Sequence, residues 1–130
     1  MTRPPIPEDL RRFVLTSIPS VPFLEALLLL RADPHQQWES AMLASRLYIR
    51  ERVASDLLAN LCTAGIARAC DAPATHCYRY DPVDAALRER IDRLADLYAR
   101  QLVDVTHLIH SSLERQARQF ADAFRLRKDE

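Results

Sequence analysis

The segment Glu51-Arg52-Val53-Ala54-Ser55-Asp56-Leu57-Leu58-Ala59-Asn60-Leu61-Cys62-Thr63-Ala64-Gly65-Ile66 lets the architecture be read in both directions along the chain. Ala54, Leu57, Leu58 and Leu61 recur at the spacing of one helical face, which predicts a helix from about Glu51 to Thr63 with that face inward. Gly65 is the only glycine in 130 residues. It stands where a helix C-terminus needs a left-handed residue, so the helix should stop there. Beyond it, Ile66–Ala69 and His76–Tyr80 read as two short strands. The proline-bearing stretch Asp71-Ala72-Pro73-Ala74-Thr75 between them suggests a β-hairpin.

Upstream, Met42, Leu43, Ala44 and Leu47 form one apolar face of a helix over Glu39–Leu47, followed by a brief turn at Tyr48 and Ile49. Gln36, Gln37 and Trp38 read as a short extended piece before it. Ser20 can cap a helix over Val21–Ala32, with Pro22 in the first turn where its missing N–H costs nothing. Leucines at 24, 27, 28, 29 and 30 make that helix apolar nearly all round and therefore central, and Asp33-Pro34 ends it. Leu10, Phe13, Val14 and Ile18 mark a short amphipathic helix over Glu8–Ile18 whose partners lie elsewhere in the chain.

Downstream, Asp81 and Asp84 beside Pro82 look like the acidic start of a helix. Asp84 to His110 holds no helix breaker. Its apolar residues Leu87, Ile91, Leu94, Tyr98, Leu102, Val105 and Ile109 follow an eleven-residue repeat, the pattern of a nearly straight stripe about 40 Å long. Ser111-Ser112 is expected to break the run. A shorter final helix, Leu113–Leu126, then carries Leu113, Ala117, Phe120, Ala121 and Phe124 on one face. The expected fold is mainly α with a small β-hairpin, in two parts: residues 1–81, and a helical arm over 82–130.

Composition narrows the functions open to such a fold. A chain of this length makes one domain, and 48% apolar with 28% charged residues is the balance of a folded protein. One glycine excludes a glycine-rich phosphate loop and argues against an all-β design. Eighteen cations balance eighteen anions, so no global charge draws the chain to nucleic acid or a membrane. The apolar run Leu24–Leu30 is far shorter than the about 20 residues of a membrane span. Arg3 is followed by Pro4, Pro5 and Pro7 rather than an apolar run, and the expected compartment is the cytoplasm. Three cysteines are expected to be reduced, packed thiols, although Cys70 and Cys77 can face each other across the hairpin. His107 and His110 lie three apart but lack further ligands, so neither a metal nor another cofactor is expected. No nucleophile motif is recognisable, and an enzyme is not expected.

The order of elements, helices and then a hairpin after a glycine-capped helix, resembles a winged helix-turn-helix. Trp38 to Leu47 is similar to that family's first motif helix. Val53 to Ile66 is similar to its recognition helix running into the wing, and Cys77-Tyr78-Arg79-Tyr80 to the returning wing strand. With the helical arm, the chain resembles MarR-like and PadR-like bacterial transcriptional regulators. The resemblance implies that the helix following Tyr48 enters the major groove of double-stranded DNA. Arg52 would read guanine, Ser55 a base edge or phosphate, and Arg50 a phosphate. Val53, Asp56 and Asn60 share that outward face, and Arg79 belongs to the wing. A small-molecule effector is a further expected partner, with Tyr78, Tyr80 and Tyr98 as its candidate lining.

The arm argues for self-association. Leu87, Ile91, Leu94, Tyr98, Leu102, Val105 and Ile109, with Phe120 and Phe124 on the final helix, form apolar faces too long for the small domain to cover. A twofold homodimer is the expected way to bury them, the alternative being an intramolecular helical hairpin in a monomer. The competing expectation is a winged-helix adaptor that binds a protein: residues 1–80 hold nine cations against eight anions, a weak electrostatic footprint for DNA.

Overall fold

A computed structural model describes residues 4–70 and 77–128, with side chains through Ala123. Six helices and three short strands follow in the order α1 (Glu8–Ser17), α2 (Val21–Ala32), β1 (Trp38–Glu39), α3 (Ser40–Leu47), α4 (Glu51–Thr63), β2 (Ala67–Ala69), β3 (Cys77–Tyr80), α5 (Ala85–Arg100) and α6 (Leu102–Lys128). The strands make one antiparallel sheet in the order β1-β3-β2. Trp38 and Ala69 flank Tyr78 from opposite sides, and Ala67 pairs with Tyr80. The protein is therefore mainly helical with a small three-stranded sheet. The segment 71–76, which includes the expected hairpin loop and His76, lies outside the described residues.

Local chemistry explains most boundaries. The Ser20 hydroxyl accepts from the Phe23 N–H (3.2 Å) at the start of α2, and the Asp84 carboxylate accepts from the Leu87 N–H (2.8 Å) at the start of α5. Gly65 adopts φ +78°. The Gly65 N–H donates to Cys62 O and the Ile66 N–H to Leu61 O, both at 3.0 Å, so two otherwise orphaned carbonyls of α4 are satisfied at a left-handed cap. The following turn is close-packed: a Cβ at Gly65 would lie 3.0 Å from Val83 Cγ1.

One apolar core runs through all six helices. Phe23, Leu24, Ala26, Leu27 and Leu30 on α2, Leu43 on α3, and Ala54, Leu57, Leu58 and Leu61 on α4 are buried together with Trp38, Ile66 and Tyr80. Leu10, Phe13 and Val14 on α1 join the same cluster to Ile91, Leu94 and Leu97 on α5 and to Val105 and Ile109 on α6. Polar clasps surround the seam. Arg93 on α5 forms a two-pronged hydrogen bond with the Asp9 carboxylate on α1. Arg31 Nε on α2 donates to Asp92 Oδ1 on α5 (2.8 Å).

The arm departs from the sequence expectation in two ways. The helix breaks at Gln101, not at Ser111-Ser112, so a 16-residue helix precedes a 27-residue one and the shorter comes first. Gln101 is buried, with φ −132° and its N–H donating to Leu97 O at 2.7 Å. With its side-chain amide turned to satisfy both neighbours, it donates to Pro4 O (3.2 Å) and Asp104 Oδ2 (3.1 Å). The bend thus coincides with a long-range contact to the N-terminal segment and contains no proline or glycine. The two serines sit half-buried within α6.

The second departure concerns the stripe proposed for dimerisation. Ile91, Leu94 and Val105 are fully covered and Ile109 is 1% exposed within a single chain. Leu87 and Tyr98 pack against the same core. Folding back at Gln101 lets α5 and α6 both pack on α1, so Ile91, Leu94, Val105 and Ile109 are not free to meet a second copy, while Leu87 and Tyr98 stay partly exposed. Leu102 is half exposed at the elbow, and Phe120 is 75% exposed. The side chain of Phe124 lies outside the described part of the protein.

Candidate nucleic-acid interface

The site is assembled from α3, the turn after it, α4 and the sheet. Packing of α3 and α2 against α4 fixes the inward face of α4, with Leu58, Leu61 and Ala54 wholly buried. The opposite face is exposed throughout: Arg52, Val53, Ser55, Asp56, Ala59 and Asn60, with Arg50 at the N-cap. Positions 52, 55, 56 and 59 share one side of the helix by their three- and four-residue spacing. Arg50 and Arg52 form no ion pair among the described residues, so both guanidiniums keep their full hydrogen-bonding capacity.

Arg79 is exposed on β3, the central strand, directly across from Arg68. Arg68 is partly neutralised by Asp81 (3.6 Å), which also lies 3.9 Å from Arg88. Arg79 has no such partner among the described residues, and no hydrogen bond joins it to α4.

Two further arginines brace the aromatic side chains beneath this surface. The Arg46 guanidinium on α3 lies 5.8 Å from the centre of the Trp38 ring, and that of Arg88 lies 5.5 Å from the Tyr80 ring. The Trp38 indole Nε1 and the Tyr80 hydroxyl are buried without a hydrogen-bond partner. Burial pushes the Tyr80 phenol above its ordinary pKa, and the nearby Asp92 carboxylate adds to the shift.

Cys70 and Cys77 are joined by a disulfide, where the sequence reading expected free thiols. The hairpin explains it. The Cys70 N–H donates to Cys77 O at 2.9 Å and the two Cα atoms are 5.4 Å apart, within the span a disulfide bridges. Cys62 remains a free, half-buried thiol.

Of the expected effector lining, Tyr80 belongs to the core and Tyr78 and Tyr98 pack against it. An open groove of about 820 Å³ lies elsewhere, between the N-terminal segment, α1 and α6. Arg11, Gln101, Asp104, His107 and Arg115 line it, with Ile6 and Leu15 at its base. The sequence carries no local signal for this groove, because it arises only when the break at Gln101 lays α6 along α1.

The turn expected at Tyr48 and Ile49 is present, but its geometry was not foreseen. Tyr48 lies in the left-handed region, φ 56° and ψ 44°, at the C-cap of α3, with its side chain 95% exposed. No single helix among the described residues is long and apolar enough to cross a membrane. No family model matches this chain, and neither curated proteins nor solved structures yield a match.

Proposed function

We propose that the protein is a sequence-specific DNA-binding transcriptional regulator of the winged helix-turn-helix type, acting as a homodimer. The supporting observation is the exposed face of α4, which carries two unpaired arginines and the hydrogen-bonding side chains of Ser55 and Asn60 on a rigidly packed helix. Such a helix fits the major groove, where arginine reads guanine bidentately and asparagine reads adenine. The succession α2-β1-α3-α4-β2-β3, with β3 between β1 and β2, is the strand and helix order this reading requires. Arg79 would then meet the DNA backbone from the sheet.

Self-association is assigned to the outer part of α6. From Leu113 to Ala123 every residue is exposed, including Leu113 and Phe120. A solitary helix of this length gains little stability from its own hydrogen bonds, and a second copy of the same helix would cover its apolar edge. The groove between α1 and α6 has a volume suited to a small organic effector.

A second reading is favoured by one specific observation. Glu51 and Asp56 stand exposed among the arginines of α4, which lowers the gain from counterion release. Under that reading the same face docks a protein.

Fluorescence anisotropy with random-sequence duplex DNA at several salt concentrations separates the two. A regulator binds at low salt, loses affinity steeply as salt rises, and is weakened several-fold by Arg52→Ala. No binding at any salt selects the adaptor. Light scattering should give a dimer mass for the wild type and a monomer mass for Leu113→Ser/Phe120→Ser; a wild-type monomer overturns the homodimer.

A further inference from the structure

Tyr48 is the sole non-glycine residue with positive φ among the described residues. The left-handed conformation closes α3, with the Tyr48 and Ile49 N–H groups both turned to Ala44 O, and sends the chain directly into α4. Glycine adopts this conformation without cost, and asparagine nearly so; a bulky aromatic does not. The side chain is 95% exposed and makes no hydrogen bond, ion pair or ring contact among the described residues. A strained backbone that carries a large, solvent-facing ring points to a contact outside the molecule.

Its neighbours indicate the chemistry of that contact. The segment Arg46-Leu47-Tyr48-Ile49-Arg50-Glu51-Arg52 carries three arginines and one glutamate in an otherwise balanced chain, and all three guanidiniums are exposed. The phenol hydroxyl thus belongs to an arginine-rich stretch at the entry to α4. An anionic oxygen suits it, because a hydrogen bond to a charged acceptor is stronger than one between neutral groups. With α4 in the major groove, the turn before it faces the sugar-phosphate strand bordering that groove.

We propose that the Tyr48 hydroxyl donates to a DNA phosphate and sets the register of α4 in the groove. The inference rests on the DNA-binding reading given above and extends it to a residue that reads no base. Tyr48 stands exposed in the turn before α4, so Arg50 and Arg52 would be aimed by a contact that carries no charge of its own.

The test compares wild type with Tyr48→Phe, Tyr48→Gly and Arg50→Ala. Each is titrated by anisotropy against a random-sequence duplex of roughly three helical turns, and each is unfolded thermally. Tyr48→Gly should unfold at the same temperature as wild type or higher, since glycine relieves the left-handed strain, yet bind about tenfold more weakly. Tyr48→Phe should bind several-fold more weakly with an unchanged dependence of affinity on salt, because a neutral phenol releases no counterion. Arg50→Ala should reduce that dependence by about one ion. If both Tyr48 variants bind like wild type while Arg50→Ala is impaired, the Tyr48 contact is wrong and DNA binding stands. Full affinity in Tyr48→Phe with loss only in Tyr48→Gly replaces the hydroxyl contact with ring packing and overturns the assignment. Loss of affinity in Tyr48→Gly accompanied by a lower unfolding temperature makes the residue structural. A wild type that does not bind at low salt overturns this inference and the DNA-binding reading together.

Discussion

Individual residues set two thresholds in this protein. Gly65 holds a conformation that costs a residue with a Cβ roughly 1–2 kcal/mol, and the new Cβ would press on Val83. Gly65→Ala should therefore lower the unfolding free energy by about 1–2 kcal/mol in a denaturant titration; an unchanged midpoint would mean the turn is softer than it looks. Asp9 sets a threshold in pH. The hydrogen bond from the Arg93 guanidinium holds its carboxyl below the ordinary value of 3.8. A carboxylate whose folded pKa is depressed stabilises the fold above its unfolded value, and that contribution disappears as the pH falls through the folded one. Wild type should accordingly be the more stable of the pair wild type and Asp9→Asn near neutrality, with the difference shrinking in acid below 3.8. Because both partners are exposed, the gap is small and screened by salt. A gap that widens in acid would contradict the assignment.

At the level of elements, legibility in the sequence follows the range of the physics involved. Boundaries made by local chemistry could be read: the Ser20 and Asp84 caps, the Asp33-Pro34 stop, and the cap at Gly65. The inward and outward faces of α4 also followed from spacing alone. The break at Gln101 could not be read, because a glutamine in an apolar repeat is no helix breaker and its partner, Pro4, is almost a hundred positions away. The coverage of Ile91, Leu94, Val105 and Ile109 within one chain depends on that break and was equally hidden from the sequence. The turn at Tyr48 and Ile49 was legible, but the left-handed conformation of Tyr48 was not, since such turns are sought at glycine and asparagine. The Cys70–Cys77 pairing was geometrically open from the hairpin but was weighed against the usual state of cytosolic thiols. Its closed loop of about eight residues corresponds to about 2.5 kcal/mol by chain entropy. Reduction, or Cys70→Ser/Cys77→Ser, should lower the unfolding free energy by about 2 kcal/mol, read by denaturant titration with and without reductant. Equal stability in both conditions would mean the bridge is not formed in solution.

Across the whole molecule, charge is spent sparingly. Ion pairs join Asp9 to Arg93, Arg31 to Asp92, and Asp81 to Arg68 and Arg88, so that several cations of a balanced chain serve the fold. The arginines at 50, 52 and 79 form no ion pair among the described residues. Burial is divided in a similar way: the apolar stripe is consumed by α1 as far as Ile109, and α6 continues past it with an exposed edge. The contact of Gln101 with Pro4 ties the two ends of this plan together. The start of the last helix is thereby moored to a residue almost a hundred positions earlier, so Gln101→Ala should slacken the elbow and let the helix beyond it swing.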